Sequence, residues 1–185
     1  DQLARLIHQL DKRTNGENTI VIITGDHGES MGEHADLNED GRFFHPHSLY
    51  DTEQRVPLLL RYPEQVHAGT VIDVPTQAID LFPTVLQMAG TPVPDQSQGS
   101  SLIGLLDGTD SGANRAAYAS MPDYTFTSVT DGTWKLIQNN ASGLRRLYDL
   151  RGDPGEQHDQ LESQPDVAKE LSAKLDGWMK ETKIA

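Results

Sequence analysis

The sequence predicts an α/β fold that is followed by a small antiparallel sheet with a C-terminal helix. A helix-like stretch precedes a continuous run of β-branched residues at positions 19–24, which is the order of an α/β repeat. Short strand-like runs separated by turn residues occupy positions 116–150, and an amphipathic segment follows Pro165. These patterns predict an α/β core over residues 1–112 and an antiparallel subdomain over residues 113–185.

The first predicted helix has one apolar stripe at the i, i+3, i+4, i+7 spacing, formed by Leu3, Leu6, Ile7 and Leu10. The run at 19–24 is bounded by Asn18 and Gly25, which predicts a strand buried on both faces, as in a parallel sheet. A second buried strand is predicted at 56–62, before Pro63. Residues 70–74 are a candidate for a short third strand.

Helical spacing resumes at residues 79–89. Pro83 falls in the first turn, where proline is tolerated, and Gly90 is the predicted stop. Asp80 is expected to cap this helix. Residues 91–114 are rich in Pro, Gly, Ser and Asp and are predicted to be a linker with a short apolar piece at 102–106.

The second part of the chain alternates strand-like runs with turn chemistry. Asp131-Gly132 and residues 139–143 separate these runs and favour hairpins. The predicted strands are 116–121, 126–130, 134–138 and 145–150. The terminal helix has an apolar stripe of Val167, Leu171, Leu175 and Trp178 or Met179.

Composition excludes several classes of function. The 185 residues carry a net charge of −13, which argues against nucleic acid as the main ligand because phosphate backbones require clustered cations. The absence of cysteine excludes disulfides, zinc–thiolate sites and a cysteine-derived nucleophile within this chain. No apolar run approaches the roughly 18 residues of a membrane-spanning helix.

The densest chemical cluster is TGDHGE at positions 24–29, directly after the first predicted strand. In open α/β sheets ligands bind at the carboxyl ends of strands. Asp26 supplies a carboxylate, His27 supplies an imidazole, and the flanking glycines allow close backbone approach, which suits a metal site. The alternative interpretation is a polar turn between strand and loop.

A second cluster, HPHSLYD, begins at His45. Of the seven histidines, His27, His34, His45 and His47 fall in one polar segment between two predicted strands. They could ligate a metal, donate hydrogen bonds to an anion or act as a general acid. We expect His34 to be a surface loop residue, and surface or core roles for the scattered His8, His67 and His158.

One further motif, DLNEDG at positions 36–41, matches the first six positions of a calcium-binding loop. The twelfth position should be glutamate but is His47, and no flanking helices are evident. We interpret this segment as an acidic loop.

Four ordered motifs resemble the C-terminal half of a sulfatase of the alkaline phosphatase superfamily. They are TGDHGESMGEH, HPHSLYDTEQRVPLLLRYP, QAIDLFPTVLQMAGTPVP and QGSSLIGLL. The ending TDGTWKLIQN followed by RRLYDLRGDPGEQHDQL is similar to the sulfatase C-terminal subdomain. The resemblance implies part of an alkaline-phosphatase-like α/β/α sandwich. It also implies hydrolysis of sulfate esters of small molecules or carbohydrates by the complete enzyme, and not by this chain alone.

The resemblance also implies roles for particular residues. Asp26 and His27 match the family's late metal-ligand pair. His45 and His47 fall where the family places a Lys or His that contacts the sulfate or the leaving oxygen, and Pro46 stands at the lysine position. We favour His45 for the anion, with His47 second.

The family's nucleophile is absent from this sequence. Sulfatases form it, as formylglycine, from Cys or Ser in a C/S-x-P-x-R motif, and this chain has no such motif. The resemblance therefore implies that the nucleophile and two further aspartate ligands lie in an N-terminal part of the same enzyme, and that the protein is periplasmic or secreted. Calcium is the expected metal. The imidazole of His27 is an argument for manganese or zinc, because calcium prefers oxygen ligands.

Two other hypotheses stay open at this point. One is a phosphodiesterase or phosphonate monoester hydrolase of the same superfamily, which would have its nucleophile in another sequence context. The other is a folded module without catalytic function, in which the acidic loop is only structural.

Overall fold

The computed structural model describes residues 2–34 and 48–183. Contacts divide the chain into two compact units. In chain order the elements are α1 (Gln2–Asp11), β1 (Val21–Thr24), α2 (Asp51–Gln54), β2 (Leu58–Arg61), a 3-10 turn (Ala78–Asp80), α3 (Leu81–Met88), α4 (Ile103–Leu106), β3 (Ala117–Ser120), β4 (Phe126–Thr130), β5 (Trp134–Asn139), β6 (Arg145–Asp149) and α5 (Pro165–Thr182).

The first unit consists of the described residues of Asp1–Thr24, Pro57–Ile72 and Ala78–Ser111. Its strands β1 and β2 pair antiparallel, with Val21 opposite Arg61 and Thr24 opposite Leu58. The Arg61 guanidinium forms an ion pair with Asp11 and donates a hydrogen bond to the Gly16 carbonyl, which fastens the end of α1 to β2.

The prediction of a parallel strand buried on both faces at residues 19–24 is wrong in this region. The partner of β1 runs antiparallel, its apolar residues are only half-buried, and Thr24 is exposed. The physical reason is that α/β sheets often carry an antiparallel strand, which a β-branched run fits as well as a parallel one.

Residues 70–74 are irregular, so the candidate third strand is also wrong. Gly69 has a φ of +82°, and the Thr70 hydroxyl donates a hydrogen bond to the His67 carbonyl. Because of this turn, the backbone is not extended where the candidate strand would begin. Val71 is 86% exposed, so its β-branched side chain packs on nothing that would stabilise a strand.

The third helix confirms the predicted positions of Pro83 and Gly90, since Gly90 has a φ of +65° just after the helix. The expected cap is wrong, because the Asp80 carboxylate accepts a hydrogen bond from the Ser100 N–H at 2.8 Å instead. The buried Thr84 hydroxyl donates to the Asp80 carbonyl and accepts from the Leu102 N–H. The segment before α4 is thereby fastened to the start of α3.

The second unit consists of the described residues of Gly25–Val56, Asp73–Gln77 and Gly112–Ala185. It contains a four-stranded antiparallel sheet in the order β3-β4-β5-β6, as the strand-like runs predict. Asp131 accepts hydrogen bonds from the N–H groups of Thr133 and Trp134, and Gly132 has a φ of +89°, which together form the predicted turn between β4 and β5.

Both faces of this sheet are covered. On one face α5 packs against the central strands, and the core is formed by Val129, Leu136, Leu147, Ala168, Leu171 and Leu175. On the other face the residues that follow position 48 contribute a second cluster, formed by Leu49, Tyr50, Met121, Ile137 and Tyr148. Because side chains alternate along a strand, Lys135 lies on the same face as Ile137, opposite α5.

Within the part of the chain that the structure describes, no helix has the length and apolar character needed to cross a bilayer.

Candidate functional site

Asp26 and His27 lie side by side in the loop that follows β1 in the chain. The Asp26 Oδ1 atom accepts a hydrogen bond from the His27 N–H at 3.0 Å. The Asp26 Oδ2 atom is 3.9 Å from His27 Nε2. The Asp26 side chain is 92% exposed and that of His27 is 34% exposed, so both groups can be reached by a ligand.

The His27 ring is oriented by its own loop. Its Nδ1 atom is 2.7 Å from the Gly28 carbonyl oxygen, an acceptor, so Nδ1 carries the proton and the neutral ring presents a lone pair at Nε2. This arrangement, in which a backbone carbonyl fixes the tautomer of an imidazole, is typical of metal-ligating histidines. The donor set of Asp26 Oδ2 and His27 Nε2 therefore fits a divalent cation.

The charge state of His27 reflects the same surroundings. The hydrogen bond to the Gly28 carbonyl raises the pKa of His27 most, and partial burial opposes it. The carboxylates of Asp26, Glu29 and Glu53 raise this pKa further. The loop is thus an electronegative environment, which attracts cations.

The loop is held by two backbone hydrogen bonds to α2. The Gly28 N–H donates to the Glu53 carbonyl at 2.7 Å, and the Glu29 N–H donates to the Thr52 carbonyl at 3.0 Å. A Cβ at position 28 would lie 2.0 Å from the Thr52 oxygen, so the approach is open only to glycine. The sequence only suggested that a glycine is needed at position 28. The close approach to the Thr52 carbonyl explains why.

His45 and His47 lie outside the described residues, as does the acidic loop at 36–41, so their predicted roles stay predictions. The described chain resumes at Ser48, whose N–H donates to Glu53 Oε2 at 3.1 Å. Glu53 is 2% exposed, and Leu49, the residue after Ser48, is 1% exposed. The segment that follows the two histidines is therefore anchored in the interior of the second unit.

The expectation that His34 is a surface loop residue is wrong. His34 is 5% exposed, and its ring stacks on Tyr50 with centroids 3.6 Å apart and planes 8° apart. The Tyr50 and Tyr148 hydroxyls are 3.1 Å apart. The sequence that flanks His34 is polar and did not indicate this stack, because its partner Tyr50 is not a neighbour in sequence. His8, His67 and His158 are exposed.

A buried ion cluster behind α2 was not predicted from the sequence. The Lys135 Nζ atom is 2.8 Å from Asp51 Oδ1 and 3.1 Å from Glu156 Oε1. The contact with Glu156 Oε1 is an ion pair whose geometry does not form a hydrogen bond. The Glu156 Oε2 atom accepts a hydrogen bond from the Asp51 N–H at 2.6 Å. The available signal was Lys135 itself, a charge inside the apolar run WKLI.

The described residues, 2–34 and 48–183, contain no group of three or more His, Cys, Asp or Glu side chains arranged to hold a metal ion. Asp26 and His27 are thus a pair of candidate ligands rather than a complete site within this part of the chain.

Comparison with known proteins identifies the family. Residues 39–183 match the family described as N-sulphoglucosamine sulphohydrolase, C-terminal. The N-acetylglucosamine-6-O-sulfatase of Bacteroides thetaiotaomicron is 30% identical over 167 residues, which cover 84% of this chain and 29% of that protein. The chain belongs to this sulfatase family, within the alkaline phosphatase superfamily, and corresponds to its C-terminal portion.

Two solved structures have the same fold. The structure of BT4656 in complex with its substrate D-glucosamine-2-N,6-O-disulfate has a TM-score of 0.79 and 30% identity, covering 97% of this chain and 38% of that one. The phosphonate monoester hydrolase of Agrobacterium radiobacter has a TM-score of 0.76 and 25% identity, covering 97% of this chain and 38% of that one. The predicted α/β class with an antiparallel sheet and C-terminal helix is confirmed.

The chain spans about a third of the length of the curated relatives that it matches. The relatives that it matches are named sulfatases, which are sulfuric ester hydrolases.

Proposed function

We propose that the complete protein that carries this chain hydrolyses a sulfate ester, with Asp26 and His27 as ligands of a divalent cation. The observation that carries this proposal is the pairing of the exposed Asp26 carboxylate with a His27 ring whose Nδ1 is held by the Gly28 carbonyl. The nucleophile is expected to be a formylglycine outside this chain. The division of residues 1–112 and 113–185 into core and subdomain is part of the same proposal.

The substrate class is inferred from the relatives. The matched family is described by N-sulphoglucosamine, one relative is an N-acetylglucosamine-6-O-sulfatase, and one neighbour holds a glucosamine disulfate as its substrate. These descriptions share a sulfated glucosamine. We propose a sulfated amino sugar, alone or within a carbohydrate, as the substrate.

Calcium is the proposed metal, with manganese or zinc as the alternatives that an imidazole ligand permits. When bound, such an ion would polarise the ester and balance the negative charge of the sulfate. The chain's own contribution is to hold Asp26 Oδ2 and His27 Nε2 on one side of the loop.

His45 is proposed to contact the sulfate and to supply a proton to the leaving oxygen, with His47 as the second candidate. The departing alkoxide develops negative charge as the S–O bond breaks, and a protonated imidazole offsets it. Ser48, the first described residue after these histidines, is anchored to Glu53.

A phosphonate or phosphate ester hydrolase is the second candidate function. The observation in its favour is the fold similarity to the phosphonate monoester hydrolase. A Cys or Ser nucleophile in a C/S-x-P-x-R context favours the sulfatase, and a Thr in another context favours the phosphoester enzyme.

The test is sulfate release from glucosamine 6-sulfate and N-sulfoglucosamine by the complete protein, against release from a phenyl phosphonate ester. Substitution of Asp26→Ala or His27→Ala should abolish saturable calcium or manganese binding in calorimetric titration and lower kcat by at least about 10²-fold. His8→Ala, on the exposed face of α1, is the matched control and should leave turnover unchanged. Metal binding unaltered by both site variants would refute the ligand assignment and favour a module without catalytic function.

A further inference from the structure

The ion cluster of Lys135, Asp51 and Glu156 lies under the backbone that holds the candidate metal loop. The Lys135 side chain is 2% exposed and that of Glu156 is 1% exposed, while Asp51 is 19% exposed. The cluster is on the sheet face opposite α5, where the Lys135 ammonium contacts Asp51, the first residue of α2.

We propose that Lys135 and Glu156 are positioning residues for the candidate metal loop, and that they act through Asp51 and α2. The role of the site as a metal site rests on the proposed function. The way in which the loop is held rests on hydrogen bonds and ion pairs in the structure. Each contact lies within the second unit.

The first step is the anchoring of α2. This helix is a single turn of four residues, and an isolated turn is not stable in water. Its first residue, Asp51, is held twice, by the Lys135 ammonium on its carboxylate and by the Glu156 carboxylate on its N–H. Side-chain and main-chain contacts at one residue fix both the position and the direction of the turn.

The second step is the use of α2 by the site. The carbonyls of Thr52 and Glu53 accept hydrogen bonds from the N–H groups of Glu29 and Gly28, next to His27. The Glu53 carboxylate holds the Ser48 N–H, one residue after His47. One turn of helix thus holds both the loop that carries the proposed metal ligands and Ser48, the first described residue after the two histidines.

The backbone of Glu156 gives independent support. Its φ is +52°, in the left-handed region that non-glycine residues rarely adopt. A glycine at position 156 would adopt that conformation at less cost. A buried side chain at a strained position is expected where the side chain itself makes an indispensable contact, and here its contacts are Lys135 and Asp51.

Stability alone is a weak explanation for such a cluster. Buried ion pairs often contribute no more than apolar residues of the same volume, because desolvation of the charges offsets their attraction. A role in position predicts that exchange at the loop rises more than it does for an equally destabilising substitution on the α5 side of the sheet, whereas a role in stability alone predicts equal rises.

The experiment is hydrogen exchange, followed by mass spectrometry, on the complete protein with Glu156→Leu, Glu156→Gln and Lys135→Met. Glu156→Leu removes the acceptor for the Asp51 N–H, and Glu156→Gln keeps it. We expect exchange at the Gly28 and Glu29 amides to rise at least tenfold in Glu156→Leu and Lys135→Met and less in Glu156→Gln, with kcat falling at least tenfold and KM changing less than threefold.

Leu175→Ala is the matched control, since it opens a cavity on the α5 side of the same sheet and destabilises without touching α2. It should raise exchange in the sheet and leave Gly28 and Glu29 as in the unaltered protein. Equal exchange at these two amides in all variants, or an equal rise in Leu175→Ala, would overturn the proposal.

Two further arms keep the result readable. If Glu156→Leu does not fold, the contrast between Glu156→Gln and Lys135→Met carries the test, because only the second removes the buried cation. The exchange result does not depend on which ester is hydrolysed. Inactivity of the unaltered protein towards sulfate esters would therefore refute the proposed function while the exchange measurement still decides this inference.

Discussion

Replacement of Lys135 by methionine should destabilise the second unit by about 3 kcal/mol at pH 7.5. Removal of one partner of a buried ion pair costs roughly 3–5 kcal/mol, because the other charge is left buried without compensation. The remaining charge is Glu156, which is 1% exposed. The lower end of the range applies because Glu156 keeps its hydrogen bond from the Asp51 N–H and Asp51 is 19% exposed.

The double variant Lys135→Met, Glu156→Gln separates charge from packing. It removes the buried cation and its most buried partner together, and glutamine preserves the shape of the glutamate. We expect it to recover at least about 2 kcal/mol relative to Lys135→Met at pH 7.5, because no uncompensated charge remains at position 156.

The pH dependence of that difference follows from Glu156. Burial raises the pKa of its carboxyl above the ordinary 4.5, against the lowering effect of Lys135. A carboxyl with a raised folded-state pKa contributes most to stability when protonated, below its ordinary pKa, and this contribution is lost as pH rises through the folded-state value. Without Lys135 the pKa rises further, so the deficit of Lys135→Met relative to the double variant should grow between pH 4.5 and neutral pH.

The assay is native-state hydrogen exchange at the Leu136 amide, in the centre of the sheet, measured from pH 4.5 to 7.5. A loss of about 3 kcal/mol corresponds to roughly a hundredfold faster exchange. Equal exchange in the single and double variants at pH 7.5, or a deficit that does not change with pH, would show that Glu156 is not an uncompensated charge and would refute this reasoning.

Further predictions concern single contacts. Gly28→Ala should weaken metal binding and lower kcat by at least about tenfold, because its Cβ would lie 2.0 Å from the Thr52 oxygen; Gly177→Ala, with no atom within 4 Å of the new Cβ, is the control and should stabilise α5 slightly. Unchanged metal binding in Gly28→Ala would contradict the close approach. Thr84→Val should lower the free energy of unfolding by about 1–3 kcal/mol, because the buried Leu102 N–H loses its acceptor. The exposed Thr70→Val is its control, and equal denaturation midpoints for the two would argue against the role of Thr84. His45→Ala in the complete protein should lower kcat by about 10²-fold, the scale of one lost general acid, and an unchanged rate would reassign the role to His47 or elsewhere.

Local patterns predicted much of the second unit. The strand β4 falls at its predicted bounds, Phe126–Thr130, because turn residues on either side define it. The apolar stripe of α5 contributes Leu171 and Leu175 to the core, as the helical spacing indicates. In both cases the information is carried by neighbours in sequence, which is what periodicity measures.

Contacts between distant residues were beyond the sequence. The direction of β1 depends on a strand more than thirty positions away, and apolar composition does not specify parallel or antiparallel pairing. His34 is buried by Tyr50, and Lys135 by Asp51 and Glu156, through contacts that no local pattern announces. Asp26 and His27 could be selected from the sequence because they are adjacent, and because glycines surround them.

The grouping of contacts places the candidate metal loop and the terminal sheet in one compact unit. The segment Gly25–Val56, which carries Asp26, His27 and α2, falls in the same compact unit as Gly112–Ala185, rather than with the strand that precedes it in the chain. The hydrogen bonds that fix the loop run to α2, and those that fix α2 run to Lys135 in β5 and to Glu156 after β6. On the inference above, this sheet supplies neither of the proposed ligands, Asp26 and His27, and instead positions the loop that carries them. Substitutions beneath α2 should therefore alter metal binding more than equally destabilising substitutions beneath α5.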